Sequence, residues 1–595
     1  MRVADFVIEF LLKNKIDITY CVTGRGSLFL NDALAKNKNM KSIFMHHEQS
    51  AAFASVAYSQ TSNKPSCCMI STGCASTNAL TGVLSAWQDC VPSIFISGQN
   101  SLNETTNFTK LKIRTYGQQQ ADIISVVKPI TKYSVFIDNP NNIQRELSKS
   151  ILISQTKRKG PVWIDIPLDI QNMQTQEKIF SHNFKIKKNI IKKETIKNLI
   201  KDIKLSERPI SLIGNGIKLD RAEDEFKIFT EKFQIPVVYS TSAVDTYGSK
   251  KKLSIGSIGA QGCSRSGAFA VQNADLILVF GSRLNSLTTG PDFKKFGREA
   301  KIVIVDIEQK EHSKKGVKID KLIETNLKSF LYELNKYKIK NLKTEWVKKC
   351  IHWKKLFSKT KVNKFHIKPN SKIDLIELSN IFSKVTKKKS AIICDSGFAD
   401  VILPSNIKFG DSQYCIHPSS QGSMGFAVPA IMGVSQNKKI KHVIAVVGDG
   451  SFMMNIQELQ TIFHHNIDCK IFLINNNVYS IIRRRQNDLF RKRTIGTDLN
   501  NGLSCPDFKK IAKAFKIKYN LIKNNFSLEK KIKIILNSKG PIICELISRE
   551  DQDYIEIGYA RSTKNKFVRR PLEDQRPFIE RSIFKKEMII EPIDQ

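Results

Sequence analysis

Acidic side chains are scarce in this 595-residue sequence. Its 55 Asp and Glu residues stand against 95 Lys and Arg residues, which gives a formal net charge of +40. Such a basic balance can attract nucleic acids or anionic surfaces. The sequence has no zinc-finger spacing, no RNP-like motif and no basic-aromatic stripe, and its lysines are spread along the chain. We therefore interpret the charge as solvated surface lysines and expect no nucleic-acid partner.

Paired cysteines and long apolar runs are also missing. The twelve cysteines contain no CxxC pair or other metal-ligand spacing, which favours reduced, buried thiols. No run of 18 apolar residues occurs, so we expect no membrane span. The first 13 residues carry Asp5 and Glu9 and no small-residue cleavage site, which is typical of a first domain helix and not of a signal peptide. These features predict a cytoplasmic protein.

Short apolar runs alternate with helical stretches over most of the chain. This alternation is typical of parallel sheets that are covered by helices on both faces. The length suggests three or four domains. We predict an α/β fold with three doubly wound parallel-sheet domains at residues 1–175, 190–340 and 370–555, followed by a C-terminal tail at 556–595.

The most specific motif is Gly448-Asp449-Gly450, which directly follows the apolar run 443–447. Asn476 comes 27 residues after Asp449 and follows a second apolar run. Two neighbouring parallel strands would thus present a carboxylate and an amide oxygen at their carboxyl ends. Such hard oxygen ligands suit Mg²⁺, which normally shares its coordination shell with phosphates. The glycines let a diphosphate approach the backbone, and the following helix N-terminus attracts it.

This pairing is typical of enzymes that depend on thiamine diphosphate (ThDP), and nearly the whole chain resembles the large subunit of acetolactate synthase. The resemblance implies a pyrimidine-binding, a central and a diphosphate-binding domain. It implies that Mg²⁺ is held by Asp449, Asn476 and the backbone carbonyl of Val478. The other cofactor-binding residues that it implies in the third domain are Ser396, Gly397, Met424, Gly448, Gly450, Ser451 and Tyr479.

The segment 45–52 is similar to the His-Glu-Gln segment of that family, which makes Glu48 the expected activating residue. A carboxylate bonded to N1′ of the aminopyrimidine favours the imino tautomer, which removes the thiazolium C2 proton. Taken alone, a glutamate after two histidines is most often a surface or helix-cap residue. Met424 stands where relatives carry the bulky side chain that bends the cofactor; the alternative for it is simple core filling.

A further block of matches begins at Ser71, with Cys74 in place of the usual proline. It implies that Thr72, Gly73 and Asn78 bind the cofactor. The segment 119–122 also matches, which implies that Gln119 lies beside both cofactor and substrate.

Two departures from the family concern the acceptor. Arg485 stands nine residues after Asn476, where classical acetolactate synthases carry a Trp, and Gln118 replaces a Phe. We expect Ile481 and Arg485 to contact the substrate. The surrounding segment is more similar to paralogues of surface-polysaccharide or modified-sugar pathways, and its arginines could hold an anionic acceptor such as a nucleotide sugar. A solvated basic helix face is the alternative.

The central domain contains the segments 214–216, 281–283 and 306–308, which resemble FAD-contacting segments. A lone Gly-x-Gly is weak evidence, so a flavoprotein and a cofactor-free central domain both stay open. About 400 residues separate Glu48 from Asp449. In the family these two residues reach the cofactor from different chains, which implies a homodimer or homotetramer. The question of a small regulatory subunit stays open.

The resemblance therefore implies a ThDP- and Mg²⁺-dependent carboligase. It would decarboxylate a 2-keto acid, with pyruvate as the expected donor, and transfer the two-carbon unit to a carbonyl acceptor. The departures argue against a housekeeping enzyme of branched-chain amino-acid synthesis. The alternatives are an enzyme of polysaccharide or modified-sugar synthesis, a simple 2-keto acid decarboxylase and a non-catalytic paralogue. The presence of Glu48, Asp449 and Asn476 argues against the last.

Overall fold

Three six-stranded parallel sheets follow one another along the chain. The computed structural model describes residues 1–180, 191–338, 342–358, 368–557, 559–561 and 567–593. Each sheet belongs to one α/β domain, which confirms the predicted fold class; the boundaries given above stay predictions. We call these units the first, central and third domains.

The first domain carries strands β1 to β6 and helices α1 to α9. The strands are β1 (Ile18–Cys21), β2 (Lys41–Phe44), β3 (Ser66–Ile70), β4 (Ser93–Gln99), β5 (Tyr133–Phe136) and β6 (Pro161–Pro167). The helices are α1 (Val3–Lys13), α2 (Leu28–Lys36), α3 (Glu48–Ser62), α4 (Cys74–Asn78), α5 (Leu80–Gln88), α6 (Thr106–Thr109), α7 (Ile123–Val127), α8 (Ile143–Gln155) and α9 (Leu168–Asn172).

The central domain carries strands β7 to β12 and helices α10 to α16. The strands are β7 (Pro209–Ile213), β8 (Val237–Tyr239), β9 (Ser254–Ser257), β10 (Leu276–Phe280), β11 (Lys301–Asp306) and β12 (Lys321–Glu324). The helices are α10 (Lys193–Leu205), α11 (Gly216–Leu219), α12 (Glu223–Phe233), α13 (Arg265–Gln272), α14 (Ser286–Thr289), α15 (Leu327–Leu334) and α16 (Thr344–Leu356).

The third domain carries strands β13 to β18 and helices α17 to α24. The strands are β13 (Ser390–Cys394), β14 (Tyr414–Ile416), β15 (His442–Gly448), β16 (Cys469–Asn475), β17 (Lys518–Ile522) and β18 (Ile542–Ile547). The helices are α17 (Leu375–Val385), α18 (Phe398–Asn406), α19 (Ala427–Val434), α20 (Asp449–Met454), α21 (Glu458–His464), α22 (Ser480–Leu489), α23 (Phe508–Ala514) and α24 (Leu528–Asn537). The C-terminal segment adds β19 (Tyr559–Arg561), β20 (Phe567–Arg569) and α25 (Arg581–Glu587).

The first and third sheets share one topology. Their strand orders are β2-β1-β3-β4-β6-β5 and β14-β13-β15-β16-β18-β17, whereas the central sheet has the order β12-β11-β10-β7-β8-β9. Open α/β sheets bind ligands outside the carboxyl ends of their strands, where the strand order reverses. In the first and third domains, these positions are the loops that follow β1 and β3, and β13 and β15.

Each sheet is buried on both faces, and alternate residues of a strand enter different cores. In β15, Val443, Ala445 and Val447 belong to a core shared with the first domain. Ile444 and Val446 belong to a core shared with the central domain. Burial on both faces explains why these strands are continuous apolar runs in the sequence.

Helices α3 and α19 form the contact between the first and third domains. Both are rich in small residues, and a Cβ added to Gly433 would lie 2.0 Å from the carbonyl oxygen of Ala54 and 2.8 Å from the backbone nitrogen of Tyr58. The two helix backbones therefore approach each other to a distance that only glycine permits at this position.

The C-terminal segment is anchored to the central domain in its described part. Glu573 is buried and pairs with Arg298 at 2.7 Å, and Arg265 donates to the carbonyl oxygen of Gln575 at 3.0 Å. Gln575 in turn donates to the carbonyl oxygen of Gly259 at 2.9 Å. Among the helices of the described residues, none combines the length and the apolar composition that crossing a bilayer requires.

We predict that Gly433→Ala lowers the free energy of unfolding by about 1–3 kcal/mol, because the added methyl group forces α3 and α19 apart. Helix propensity alone would act in the opposite direction by up to about 1 kcal/mol. Guanidinium denaturation followed by circular dichroism measures the change. Gly316→Ala is the control, since a Cβ there would meet its nearest neighbouring atom only at 3.9 Å. A Gly433→Ala protein at least as stable as wild type would contradict the contact.

Candidate active site

The end of β15 and the end of β16 are cross-linked by one carboxylate. Asp449 follows Gly448 at the start of α20 and is only 3% exposed. Its Oδ2 atom accepts hydrogen bonds from the backbone nitrogens of Asn477 (2.7 Å) and Asn476 (3.1 Å), and its Oδ1 atom from that of Gly450 (2.8 Å). The Asp449 carboxylate therefore lies beside the backbone of Asn476, which comes 27 residues later in the sequence.

The loop after β16 presents further oxygen atoms near this carboxylate. The Nδ2 atom of Asn476 donates to Ser480 Oγ at 2.9 Å, and its Oδ1 atom accepts from the backbone nitrogen of Val478 at 3.2 Å. The Tyr479 ring lies against Gly450, where an added Cβ would be 1.9 Å from the ring. Gly450 is therefore required for this close approach of the two loops.

An open, glycine-lined space lies beside them. A Cβ added to Gly397 or Gly448 would meet no atom within 4 Å, and one added to Gly422 would meet only Ser396 Oγ at 4.0 Å. Gly397 has a φ of +90°, which disfavours any other residue. Glycines that are not needed for internal packing leave backbone accessible, and this suits an anion that is held close to the main chain.

Asp395 joins the loops around this space and was given no role by the sequence. It is fully buried and accepts from the backbone nitrogens of Ala427 (2.7 Å), Ser396 (2.8 Å) and Gly425 (3.0 Å). Burial raises the pKa of Asp395 to about 6, against the lowering effect of these hydrogen bonds and of the Ser451 hydroxyl. Its signal in the sequence is a carboxylate at the end of an apolar strand, directly before Ser-Gly.

Met424 lies between Gly422 and Gly425 in the sequence and is half-buried. A Cβ on the next residue, Gly425, would be 2.6 Å from Met454 Cβ, so the loop is pressed against the end of α20. The partial exposure of Met424 argues against simple core filling.

The side-chain and backbone atoms at this site restrict the kind of metal ion that could bind there. The described residues contain no group of three or more His, Cys, Asp or Glu side chains suited to a metal ion. What the loops offer is one carboxylate, one amide oxygen and one backbone carbonyl, from Asp449, Asn476 and Val478. Burial raises the pKa of the Asp449 carboxyl, a cost that a dication would relieve. This set fits Mg²⁺ completed by phosphate oxygens and water.

Glu48 is the first residue of α3. The preceding His47 caps the helix, because its Nδ1 atom accepts from the backbone nitrogen of Gln49 at 3.1 Å. Asn78 donates to Glu48 Oε2 at 2.9 Å, which ties the start of α3 to the end of α4. The Glu48 carboxylate is partly exposed and retains a second oxygen atom for another partner.

The other residues predicted in the first domain also come together. Thr72 and Gly73 follow β3, and a Cβ on Gly73 would be 1.7 Å from the carbonyl oxygen of Gln119. The first-domain set is thus Glu48, Thr72, Gly73, Asn78 and Gln119.

The third domain holds the start of α3 through residues that the sequence did not reveal. Asn455 donates to Gln49 Oε1 (3.0 Å) and to the carbonyl oxygen of Gly425 (2.8 Å), and it accepts from Ser50 Oγ at 2.9 Å. The backbone nitrogen of His46 donates to Glu458 Oε1 at 3.1 Å. Between the described residues of the two sets, however, no hydrogen bond or ion pair links Glu48 to the Asp449 and Asn476 loops.

The arginines of α22 are paired with carboxylates. Glu556 is 1% exposed and lies 2.9 Å from Arg484, 3.4 Å from Arg485 and 3.5 Å from Arg576. One carboxylate thus faces three guanidinium groups, and the Arg485 side chain keeps 37% of its surface exposed. Ile481, on the same helix, is partly buried against the core shared by the central and third domains.

A cavity lies at the carboxyl ends of β7, β8, β10 and β11, between all three domains. Gly214–Gly216, Gly281–Arg283 and Asp306 line it, as do Ser419 and Ser420 of the third domain. Arg158 of the first domain pairs with Asp306 at 2.9 Å and with Glu308. The three segments that resemble FAD-contacting segments therefore meet at one site.

This cavity has a polar lining that carries charges of both signs. Lys157–Lys159 and Arg283 contribute positive charge, and Asp89, Asp220 and Asp306 contribute negative charge. Gln88 Oε1 and Asp89 Oδ2 are buried on its wall and have no hydrogen-bond partner. Unsatisfied buried acceptors are costly, and they suit a ligand that brings its own donors. Cationic groups and unpaired acceptors on its wall fit a cofactor that carries both phosphate groups and hydrogen-bond donors, such as FAD.

Comparison with known proteins agrees with this domain order. Three models of the thiamine pyrophosphate (ThDP) enzyme family match: the N-terminal TPP binding domain at residues 1–126, the central domain at 196–334 and the C-terminal TPP binding domain at 395–546. The chain is 28% identical over 558 residues to the acetolactate synthase large subunit of Cyanidium caldarium, covering 91% of this chain and 92% of the relative. It is 28% identical to the acetolactate synthase large subunit of Lactococcus lactis, with 92% and 93% covered. It is 29% identical to the probable acetolactate synthase large subunit of Methanocaldococcus jannaschii, with 92% of each covered. The chain therefore belongs to the thiamine pyrophosphate enzyme family, as a ThDP-dependent enzyme that is similar to acetolactate synthase large subunits over more than nine tenths of its length.

Proposed function

We propose that this enzyme is a Mg²⁺-dependent carboligase that decarboxylates pyruvate and transfers the two-carbon unit to a carbonyl acceptor. The observation that carries the proposal is the Asp449 carboxylate, which spans the ends of β15 and β16 beside an open glycine-lined space. One carboxylate with neighbouring amide and carbonyl oxygens suits a cation that a diphosphate shares.

The proposed roles of the residues follow from their positions. Asp449, Asn476 and the Val478 carbonyl would hold Mg²⁺, and Gly397 and Gly448 would leave room for the diphosphate. Bound ThDP supplies an acidic carbon and an electron sink for decarboxylation. Glu48 would accept a hydrogen bond from the pyrimidine. Asn78 occupies one of its oxygen atoms and orients the carboxylate.

We also propose that the site is completed by a second copy of the chain, in a homodimer or a homotetramer. Glu48 has no described bond to the Asp449 and Asn476 loops of its own chain. Large apolar side chains are exposed near both the third-domain loops and the first-domain set. They are Met454 at the end of α20, and Leu111 and Tyr116 before Gln119. Exposed apolar clusters of this kind mark interaction surfaces. The relatives are named large subunits, a name that implies a separate smaller subunit in those proteins.

For the acceptor, the partly exposed guanidinium group of Arg485 on α22 favours an anion. Arg485 has Glu556 as its one ion-pair partner among the described residues, at 3.4 Å, and it is the most exposed of the three arginines around that carboxylate. A second 2-keto acid and a nucleotide sugar both carry negative charge, so both are candidates. For the central cavity we propose FAD, on the grounds of its lysine and arginine side chains and its unpaired acceptors.

We predict that Asp449→Asn weakens Mg²⁺-dependent ThDP binding by about 30-fold or more. Removing one partner of a buried charge contact costs about 2–5 kcal/mol. Isothermal titration with ThDP at saturating Mg²⁺ measures the dissociation constant. Asp551→Asn, which removes a highly exposed carboxylate of the third domain, is the control. Wild-type ThDP affinity in Asp449→Asn would rule out this metal site.

We predict that Glu48→Gln slows hydrogen–deuterium exchange at C2 of bound ThDP by about 10²–10⁴-fold, the usual contribution of an acid–base group. ThDP affinity should fall only modestly, because the proposed diphosphate anchor lies in the third domain. NMR of the acid-quenched cofactor gives the exchange rate, and Glu9→Gln on the exposed face of α1 serves as control. Equal rates in Glu48→Gln and wild type would show that another residue activates the cofactor.

We predict that Arg485→Gln raises the KM for the acceptor by about tenfold, the effect of losing roughly 1.4 kcal/mol of charged contact. The rate of pyruvate decarboxylation should stay within about twofold of wild type. Product analysis with labelled pyruvate, candidate keto acids and nucleotide keto sugars measures both. Arg491→Gln, at an exposed position after α22, is the control. Unchanged acceptor kinetics would favour the solvated-face interpretation of Arg485.

A further inference from the structure

The two first-domain loops that carry the predicted site residues touch each other. One comprises residues 71–74 after β3, and the other comprises residues 117–121 before α7. Gly73 has a φ of +60°, and a Cβ there would overlap the carbonyl group of Gln119, at 1.7 Å from its oxygen and 2.8 Å from its carbon. A displacement of either loop by the width of a methyl group would therefore change the relation between Thr72 and Gln119.

The buried side-chain amide of Gln99 forms hydrogen bonds to both loops. Gln99 is the last residue of β4 and is 2% exposed. Its Oε1 atom accepts from Thr72 Oγ1 (2.5 Å) and from the backbone nitrogen of Asn100 (3.0 Å). Its Nε2 atom donates to the carbonyl oxygen of Ala121 (2.9 Å) and to Asp165 Oδ2 (3.1 Å). Both donors and both lone pairs of the amide are thus in use.

The Asp165 carboxylate helps to determine which way this amide points, together with the backbone groups of Ala121 and Asn100. Asp165 lies on β6, beside β4, and is 1% exposed. Ser97 Oγ donates to its Oδ1 atom at 2.5 Å and itself accepts from Trp163 Nε1 at 2.8 Å. The Asp165 carboxylate and the Ala121 carbonyl oxygen can only accept, and the Asn100 backbone nitrogen can only donate, so the Gln99 nitrogen faces Ala121 and its oxygen faces Thr72. Without an acceptor at position 165, the Gln99 nitrogen would lose one of its two hydrogen bonds, and this orientation would be held less firmly.

Burying the charged form of Asp165 costs free energy, so its presence here indicates a structural role. Burial raises the pKa of Asp165 to about 7, although Ser97 and Gln99 act in the opposite direction. In the part of the chain that the structure describes, Asp165 has no ion-pair partner, and its hydrogen-bonding partners are the two residues that order this network. A buried polar network of this kind specifies one arrangement of the surrounding chain.

We propose that Gln99, oriented in part by Asp165, is a positioning residue that sets the distance between the Thr72–Gly73 loop and Gln119, and thereby the place of the 2-keto acid. The choice of substrate in this statement rests on the proposed function; the clamp itself rests on the geometry. Gln99 acts through the two loops and does not itself face the site. A displacement of about 1 Å of groups that orient a substrate can cost about 10²-fold in rate.

The test compares holoenzymes that carry Mg²⁺ and ThDP. Gln99→Met keeps the size of the side chain but removes all four hydrogen bonds. Its kcat/KM for pyruvate should fall about 10–100-fold, with ThDP affinity within about threefold of wild type. Asp165→Leu should act in the same direction. Asp165→Asn should stay within about threefold of wild type, because its amide oxygen can still accept from Gln99 while its nitrogen donates to Ser97.

The matched control is Gln272→Met in the central domain. Gln272 is an equally buried amide that donates to the carbonyl oxygen of Lys295 (2.7 Å) and to Glu573 (2.8 Å), and that accepts from the backbone nitrogen of Gly297 (2.8 Å). Its loss should lower thermal stability while leaving kcat/KM within about twofold of wild type. Equal kinetic losses in Gln99→Met and Gln272→Met would overturn the positioning role.

A second measurement does not depend on turnover. Hydrogen–deuterium exchange mass spectrometry should show faster amide exchange in peptides covering 71–74 and 117–121 in Gln99→Met, and wild-type exchange there in Gln272→Met. Thr72→Val removes only the hydroxyl group bonded to Gln99 and provides the same test if Gln99→Met does not fold. Unchanged protection of both loops would refute the clamp. Failure of the wild-type enzyme to decarboxylate pyruvate would refute only the proposed substrate.

Discussion

The hydrogen bonds that the Asp449 carboxylate accepts from the loop after β16 are the constraint on which the proposed active site depends. Two parallel strands must end in register for one buried carboxylate to reach the backbone nitrogens of Asn476 and Asn477. That register places the Tyr479 ring beside Gly450 at the start of α20. Apolar burial on both faces of β15 and β16 holds this register. The packing of the core therefore fixes the positions of the groups in the proposed metal site.

A second carboxylate extends this constraint to the neighbouring strand. Asp395, after β13, accepts from three backbone nitrogens and holds the loop that carries Met424 against the glycine-lined space. The proposed diphosphate site is therefore assembled from buried acids bonded to main chain. Buried charge without such partners would be too costly to keep. The same logic recurs in the first domain, where Asp165 helps to orient the Gln99 amide.

The domains are linked less by charge than by close packing. The net charge of +40 is carried largely by exposed lysines, whereas the contact between α3 and α19 depends on the missing side chain of Gly433. Where charge does act between segments, it is buried and specific. Glu556 forms ion pairs with Arg484, Arg485 and Arg576. These pairs join the C-terminal segment to α22 beside the proposed acceptor site.

The sequence by itself determined the fold class, the strand ends and the pairing of Asp449 with Asn476, because a run of buried residues and the polar residue that follows it are local features. It also predicted the first-domain set, through resemblance to a family. Only the tertiary structure decided which residues hold these groups in place. Asp395, Asn455 and Gln99 act on loops that are distant in sequence, and Glu556 neutralises arginines about 70 residues earlier. Such roles depend on which strands become neighbours and on exact distances between backbones, and neither periodicity nor motif spacing contains that information.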